Sequence, residues 1–344
     1  MYPTNLNYKM PAEWAKHSRT YISWPVQSSM CYPEDYDMVC LGYAEIIQAV
    51  AEFEPVIVIV NPADSKKLSK FHNERIKGLV IDHNDAWLRD NGPTFLTHDN
   101  GGLAGVNWQF NAWGGKYASW DLDDQVAPQI LSSVQSKCFD APLVMEGGSF
   151  HVDGEGTLLT TEQCLLNPNR NPELTREQIE EELKKFLNAQ KVVWLKKGLD
   201  GDETDGHIDN IACFAAPGKI LIQVCDDPGD GNYAVTQENL KILGEATDAQ
   251  GRSFEIVRIQ QPPKLYAQGT DTRCTLSYLN FYFVNGGLIL PVFGGEAAET
   301  DCLAVQVLSE HFPDRRIRTV NGMAIIREGG NVHCITQQMP EVSV

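Results

Sequence analysis

The feature that most constrains this chain is a unit that recurs along it: a polar motif, a short run of strand formers, a glycine-containing turn, and a second such run. It appears as Pro93–Thr97, turn 100–102 and Leu103–Phe110; as Ser149–Val152, turn 153–156 and Thr157–Thr161; as Asn210–Phe214, turn 217–219 and Ile220–Cys225; and as Ser277–Val284, turn 285–287 and Leu288–Val292. Glycine in each turn supplies the positive φ that tight hairpins need. Amphipathic patterns predict helices near 124–136, 175–188, 236–250 and 299–311, each leading to a single strand near 142–145, 191–195, 254–259 and 316–320. Thr175 with Gln178 three residues on forms a capping box that starts the second of these helices. Hairpin, helix and strand thus repeat at spacings of about 50 to 65 residues, a period that implies units set radially or in a row.

The N-terminal part supplies the pieces of a fifth unit. A strand is predicted over Thr20–Trp24, closed by Pro25, then a helix over 34–53 with Met38, Leu41, Ala44, Ile47 and Val50 on one face. A buried strand over 55–60, a short helix to about residue 72 and a strand over 79–81 follow. If Cys334 opens a last strand that pairs with 20–24, the two ends of the chain complete the set. The expectation is α/β architecture: one domain over 1–344, a closed ring of about five units without linkers.

Composition narrows the function. The net charge of −18 argues against nucleic acid or an anionic membrane as partner and is compatible with a cationic substrate, although most acidic side chains read as a solubilising surface. No apolar run approaches bilayer-spanning length, and Trp14, Lys16, His17 and Arg19 interrupt any signal-peptide pattern. The nine cysteines are scattered, with no Cys-x-x-Cys pair, which predicts free thiols in a reducing cytoplasm.

The polar motifs stand at equivalent places, just before the first strand of a hairpin: Asn84–Pro93, Glu146-Gly147-Gly148, Asp205–Asn210 and Gly329–Cys334. Equivalent positions in a ring converge on its axis, which would bring Asp90, Glu146, His207, Asp209 and Cys334 to one pocket. Cys334 after a Gly-Gly pair is the candidate nucleophile. Three acids around a thiol oppose the oxyanion of amide hydrolysis but suit a planar guanidinium, whose forked N–H donors match carboxylates. The thiol then needs an imidazolium or the substrate cation to favour its ionised form. Trp87 and Trp113 are candidates to stack on that cation or cover an aliphatic chain. His207 and Asp209, read as alternating along a strand, would share a face, whereas His333 would point away from Cys334. His207, Asp209 and Cys334 have metal-ligand chemistry, but no second His or Cys spacing supports a metal site.

Taken together, Met10–Trp14, Asn84–Pro93, Trp113–Tyr117, Glu146–Gly148, Leu158–Glu162, Leu166–Pro172, Glu203–Asp209 and Gly329–Gln338 resemble agmatine deiminase, of the guanidino-group-modifying enzymes with a five-bladed α/β-propeller (pentein) fold. The resemblance runs from about residue 10 to 340, and bacterial peptidylarginine deiminases share several of the motifs. It implies Cys334 as nucleophile, His207 as general acid/base, Asp90 and Asp209 as guanidinium holders, and Glu146 as support for the histidine. It further implies agmatine as a small cationic substrate, a covalent amidino-cysteine intermediate, no metal or organic cofactor, and a place in putrescine biosynthesis. Asn331-Val332 departs from the more glycine-rich family pattern. Deimination of free or peptidyl arginine, with Arg89 as a candidate for the α-carboxylate, stays open, as do a cysteine amide hydrolase and a polyamine-binding pseudo-enzyme. A homodimer is the default assembly.

Overall fold

The structure is a computed structural model in which residues 1–267 and 271–342 are described. It is a mixed α/β fold built from five small, open sheets. Three of them have the same plan, a hairpin followed by a helix and a parallel strand. They are Phe150–Val152, Thr157–Thr161 and Lys191–Leu195; Ala212–Ala216, Lys219–Val224 and Glu255–Gln260; and Tyr282–Val284, Gly287–Val292 and Arg316–Asn321. The intervening helices are Arg176–Leu187, Gly231–Glu245 and Ala298–His311. A fourth sheet joins Thr94–His98, Leu103–Gln109 and Lys137–Val144, with helix Val126–Ser133 between the last two and the short strand Tyr8–Lys9 added at its edge.

The fifth sheet contains both ends of the chain. Thr336–Pro340 pairs antiparallel with His17–Ser23, which is followed by helix Tyr36–Ala51, parallel strand Val56–Val60 and a further parallel strand, Ile76–Val80. Val56, Val58, Ile59 and Val60 are all buried, as a near-continuous apolar run in a parallel interior strand requires. The helix lays Ile46, Ile47 and Val50 into the same core. Helix Arg176–Leu187 does likewise with Ile179, Leu183, Phe186 and Leu187, and its Thr175–Gln178 capping box is formed.

Three expectations shift. Helix Gly231–Glu245 begins earlier than its apolar pattern indicates, because the Asp230 carboxylate accepts the Asn232 N–H and caps it. The strand expected from Ser277 is confined to Tyr282–Val284: the Ser277 hydroxyl donates to the Asn210 carbonyl and the Tyr278 N–H to Gln223 Oε1, so these groups bond the neighbouring unit instead of a hairpin partner. Cys334 does not open a strand. It lies in a helical turn, Val332–Ile335, and the strand starts after it. Among the described residues, no helix is long and apolar enough to cross a membrane.

Candidate active site

The polar motifs occupy short turns at the heads of the hairpins, where backbone leaves a strand and side chains can point inward. Asp90 sits on the turn Leu88–Asn91, Glu146 immediately precedes the turn Gly147–Ser149, and His207 caps the turn Ile208–Asn210, which contains Asp209. The last two are therefore on a turn and not on the strand expected for them. Cys334, His207, Asp209, Asp90 and Glu146 are all buried.

Gly148 marks the point of convergence. A Cβ added there would lie 2.6 Å from His207 Nδ1, 2.9 Å from Asp209 Oδ2 and 3.0 Å from Asp90 Oδ1. Its N–H donates to Asp90 Oδ1 at 2.9 Å, while Trp113 Nε1 donates to Asp90 Oδ2 at 2.9 Å. Trp113 is aimed there by successive residues in the left-handed region, from Ala112 (φ 52) through Gly115 (φ 75), a costly backbone held by the Asn111 side chain accepting the Gly114 N–H. Cys334 Sγ lies 3.5 Å from Asp209 Oδ2 and accepts a hydrogen bond from Asn280 Nδ2 at 3.1 Å. Asp209 Oδ1 has no hydrogen-bond partner in this buried setting.

The glycine pair before Cys334 has two separate jobs. Gly329 takes φ 98 at the end of a turn, and Gly330 lets the Trp87 ring approach, since a Cβ there would meet that ring at 2.4 Å. Asn331, the departure from the expected glycine, caps the helical turn by accepting the Val332 N–H.

The electrostatics follow from burial and neighbours. Burial, then the charges of Asp209 and Asp90, push the Cys334 thiol well above its ordinary range. Burial works against a charged His207, yet Asp90, Cys164 and Glu146 outweigh it and hold the imidazole well above its usual value. Burial with the nearby Asp209 and Glu146 charges raises Asp90 in spite of His207. Glu146 is lowered against burial by His207 and Arg170; Arg170 Nε donates to Glu146 Oε1 at 2.7 Å.

The pocket above this centre is an open cleft that encloses about 690 Å³ when the solvent at its mouth is counted. Cys334, Asp90, Trp87 and Trp113 line it, and three further acids, Asp85, Glu203 and Glu328, line its walls. No lysine or arginine is among the described residues lining it.

Comparison with known proteins gives the family. Residues 9–340 match the family described as Porphyromonas-type peptidyl-arginine deiminase. The chain belongs to that family. It is 43% identical to the agmatine deiminase of Stutzerimonas stutzeri, over 98% of this chain and 97% of that one. It is 38% identical to the agmatine deiminase of Medicago truncatula, over 99% and 98%. The structure of agmatine deiminase of Enterococcus faecalis superposes with a TM-score of 0.93 at 35% identity, covering 99% of this chain and 98% of that one. The family resemblance read from the motifs is thus correct.

Several residues of the centre escaped the sequence reading. His333, placed there on the far side of a strand, instead donates from Nδ1 to Asp209 Oδ2 at 2.9 Å, because residues on a helical turn do not alternate sides. Its Nε2 meets both oxygens of Glu13 at 3.0 Å. Glu13 and Arg170 belong to motifs that carried the resemblance, but nothing local marked their roles. Asn280 was hidden inside the strand expected from Ser277; in the structure it precedes the strand Tyr282–Val284, the place the other polar motifs hold. Arg89 is buried, bonding Glu13 and the His333 carbonyl, and does not line the pocket. The metal reading of His207, Asp209 and Cys334 gains no geometry. The donor atoms within 4.8 Å of one another belong to Glu146, Cys164 and His207, where Glu146 is already engaged by Arg170.

Proposed function

We propose that the chain is an agmatine deiminase, hydrolysing agmatine to N-carbamoylputrescine and ammonia. The observation that carries this is the pairing of a buried thiol and two carboxylates, Asp90 and Asp209, around one point with a further set of acids along the same pocket. One end suits a guanidinium and the other a second cation. Agmatine carries both. Arginine would set its α-carboxylate among Asp85, Glu203 and Glu328 with no cation lining the pocket to receive it, and Arg89 is committed elsewhere.

Asp90 and Asp209 hold the guanidinium, and Trp87 and Trp113 wall the chain. The thiol is protonated in the empty site, so the arriving cation is what favours the thiolate. Cys334 Sγ attacks the guanidinium carbon and a C–S bond forms. His207, as imidazolium with Nδ1 toward the centre, gives its proton to one departing nitrogen, and the C–N bond breaks to release ammonia. The neutral imidazole then takes a proton from water, whose oxygen attacks the same carbon; the C–S bond breaks and Cys334 leaves as thiolate. Glu146, fixed by Arg170, supports the imidazolium. The proton lost as the thiol ionises and the hydroxyl proton lost as the ureido carbonyl forms both pass to water, so the chemistry balances on these side chains and water.

Four hairpin-helix-strand sheets and a fifth of the same order closed by the two chain ends, each with a polar turn toward one centre, support reading the chain as a single five-bladed propeller of the pentein type. The free state of all nine cysteines supports a reducing, cytoplasmic setting. The test offers agmatine, arginine and a small arginyl peptide separately to the protein and to C334S, measuring ammonia and the ureido product. Turnover of agmatine, lost in C334S, is expected. Turnover of arginine or peptide in its place keeps the chemistry and changes the substrate, and no ureido product from any of them refutes the deiminase reading.

A further inference from the structure

A second buried network lies behind the reacting groups, and the mechanism above does not use it. His333 bridges Asp209 Oδ2, at 2.9 Å from Nδ1, and Glu13, at 3.0 Å from Nε2. Both ring nitrogens face carboxylates, so both act as donors only if the ring is an imidazolium. Glu13 comes from the N-terminal segment and also meets Arg89 Nη1 at 3.2 Å and His151 Nε2 at 3.5 Å. All of these groups are buried. Asp209 is left with one oxygen, Oδ2, held by His333, and the other, Oδ1, without a partner.

We propose that the Glu13–His333 pair is a positioning relay that keeps Asp209 ionised with Oδ2 anchored and Oδ1 presented to the substrate guanidinium. This rests on the reading of Asp209 as a guanidinium holder. His333 never touches the reacting atoms; it acts through Asp209. Other charged groups face the same carboxylate. His207 shares its turn; Asp90 sits on Leu88–Asn91 and Cys334 on Val332–Ile335; Arg89 and Asp202 act from further off. Of the cations, His333 is the one that bonds Asp209 directly. Burial by itself would raise the carboxyl; the His333 bond and charge, aided by His207 and Arg89, bring Asp209 below its ordinary value. Burial and Arg89 oppose a charged His333, and Glu13 with Asp209 overcome them. Glu13 therefore keeps the imidazole charged, and the imidazole keeps Asp209 charged.

Two variants separate this relay from simple packing. H333N preserves a donor near Nδ1 but removes the charge, and E13Q removes the charge that sustains His333 without touching Asp209. In both, Asp209 should protonate at higher pH, so the acid limb of kcat/KM for agmatine moves up by about one pH unit. KM should rise about 10-fold or more with a smaller change in kcat, since the lost contact serves binding. A structural role would lower activity and melting temperature together and leave the limb in place. The charge is also read directly on the ligand-free wild-type enzyme, by ¹⁵N NMR of labelled histidines, the signal being assigned by its loss in H333N or H333Q. The expected result is an imidazolium at His333 at pH 7. A neutral His333 at pH 7, or an unmoved acid limb in folded H333N and E13Q, overturns the relay. If the wild type fails to turn over agmatine, the functional reading falls, and the NMR charge state still decides the relay.

Discussion

Replacing Gly148 by alanine tests the geometry of the centre with the smallest available perturbation. Its φ lies outside the left-handed region, so alanine meets no backbone strain. The added methyl meets His207 Nδ1 at 2.6 Å, Asp209 Oδ2 at 2.9 Å and Asp90 Oδ1 at 3.0 Å, whereas ordinary contact begins at 3.4 Å. The imidazole must retreat by about 0.8 Å, and the carboxylates by about half that distance. Misplacing reacting groups on the scale of an ångström costs about 100-fold in rate. Overpacking of this kind costs about 1–3 kcal/mol of stability, which a chain of this size tolerates. The expected outcome is a kcat/KM for agmatine down about 100-fold by ammonia release, with a cooperative thermal transition kept. A folded G148A enzyme within about threefold of wild type would mean that the three groups do not converge on the reacting carbon, and the proposed mechanism would lose its geometric basis.

Two other outcomes follow from charge and hydrogen bonding. Burial, then the neighbouring Asp123 charge, push Asp85 up to about 7 on the pocket wall. It gains charge as pH rises through that value, so if it faces the distal ammonium, KM for agmatine should fall between pH 6 and pH 8, and D85N should flatten that dependence; an unchanged profile in D85N assigns the ammonium to Glu203 or Glu328. Trp113→Phe removes the donor to Asp90 Oδ2. Asp90 is already raised, so its protonation should move to still higher pH, with kcat/KM at pH 7 reduced about 10-fold or more; a W113F enzyme with wild-type kinetics at pH 7 would show that this bond does not hold the carboxylate.

The fold was legible where periodicity repeats. Hairpins with glycine turns, helices and single strands recur in fixed order, and each copy corroborates the others, so bounds fell within a few residues in most units. Errors arose where tertiary partners override local pattern: Asp230 extends a helix beyond its apolar stripe, and Ser277 and Tyr278 bond a neighbouring unit in place of a strand. The clustering of the candidate residues was legible because their motifs repeat at equivalent places, and the structure brings Asp90, His207, Asp209 and Cys334 together. The supporting residues were not. His333 was set aside by strand geometry, in which neighbours point oppositely; on a helical turn they differ by about 100°, so His333 and Cys334 can both reach Asp209. Glu13 lies far from the other motifs along the chain, and only folding brings it to His333.

Charge balance connects these parts. Around the reaction point the buried acids are Glu13, Asp90, Glu146 and Asp209, and the buried cations are Arg89, Arg170, His207 and His333. With both histidines protonated the set is neutral, which is how so many ionised groups persist out of water. A neutral surround gives no reason for the thiol to ionise in the empty site, in accord with its raised value. In the proposed mechanism, a guanidinium entering between Asp90 and Asp209 adds one positive charge to a balanced set, and ionisation of Cys334 restores the balance. On that proposed mechanism Cys334 is armed by the substrate's own charge, and a neutral ligand of the same shape would leave it a thiol. The second cation of agmatine falls outside this balance, and the acids of the pocket wall, Asp85, Glu203 and Glu328, are the groups left to meet it.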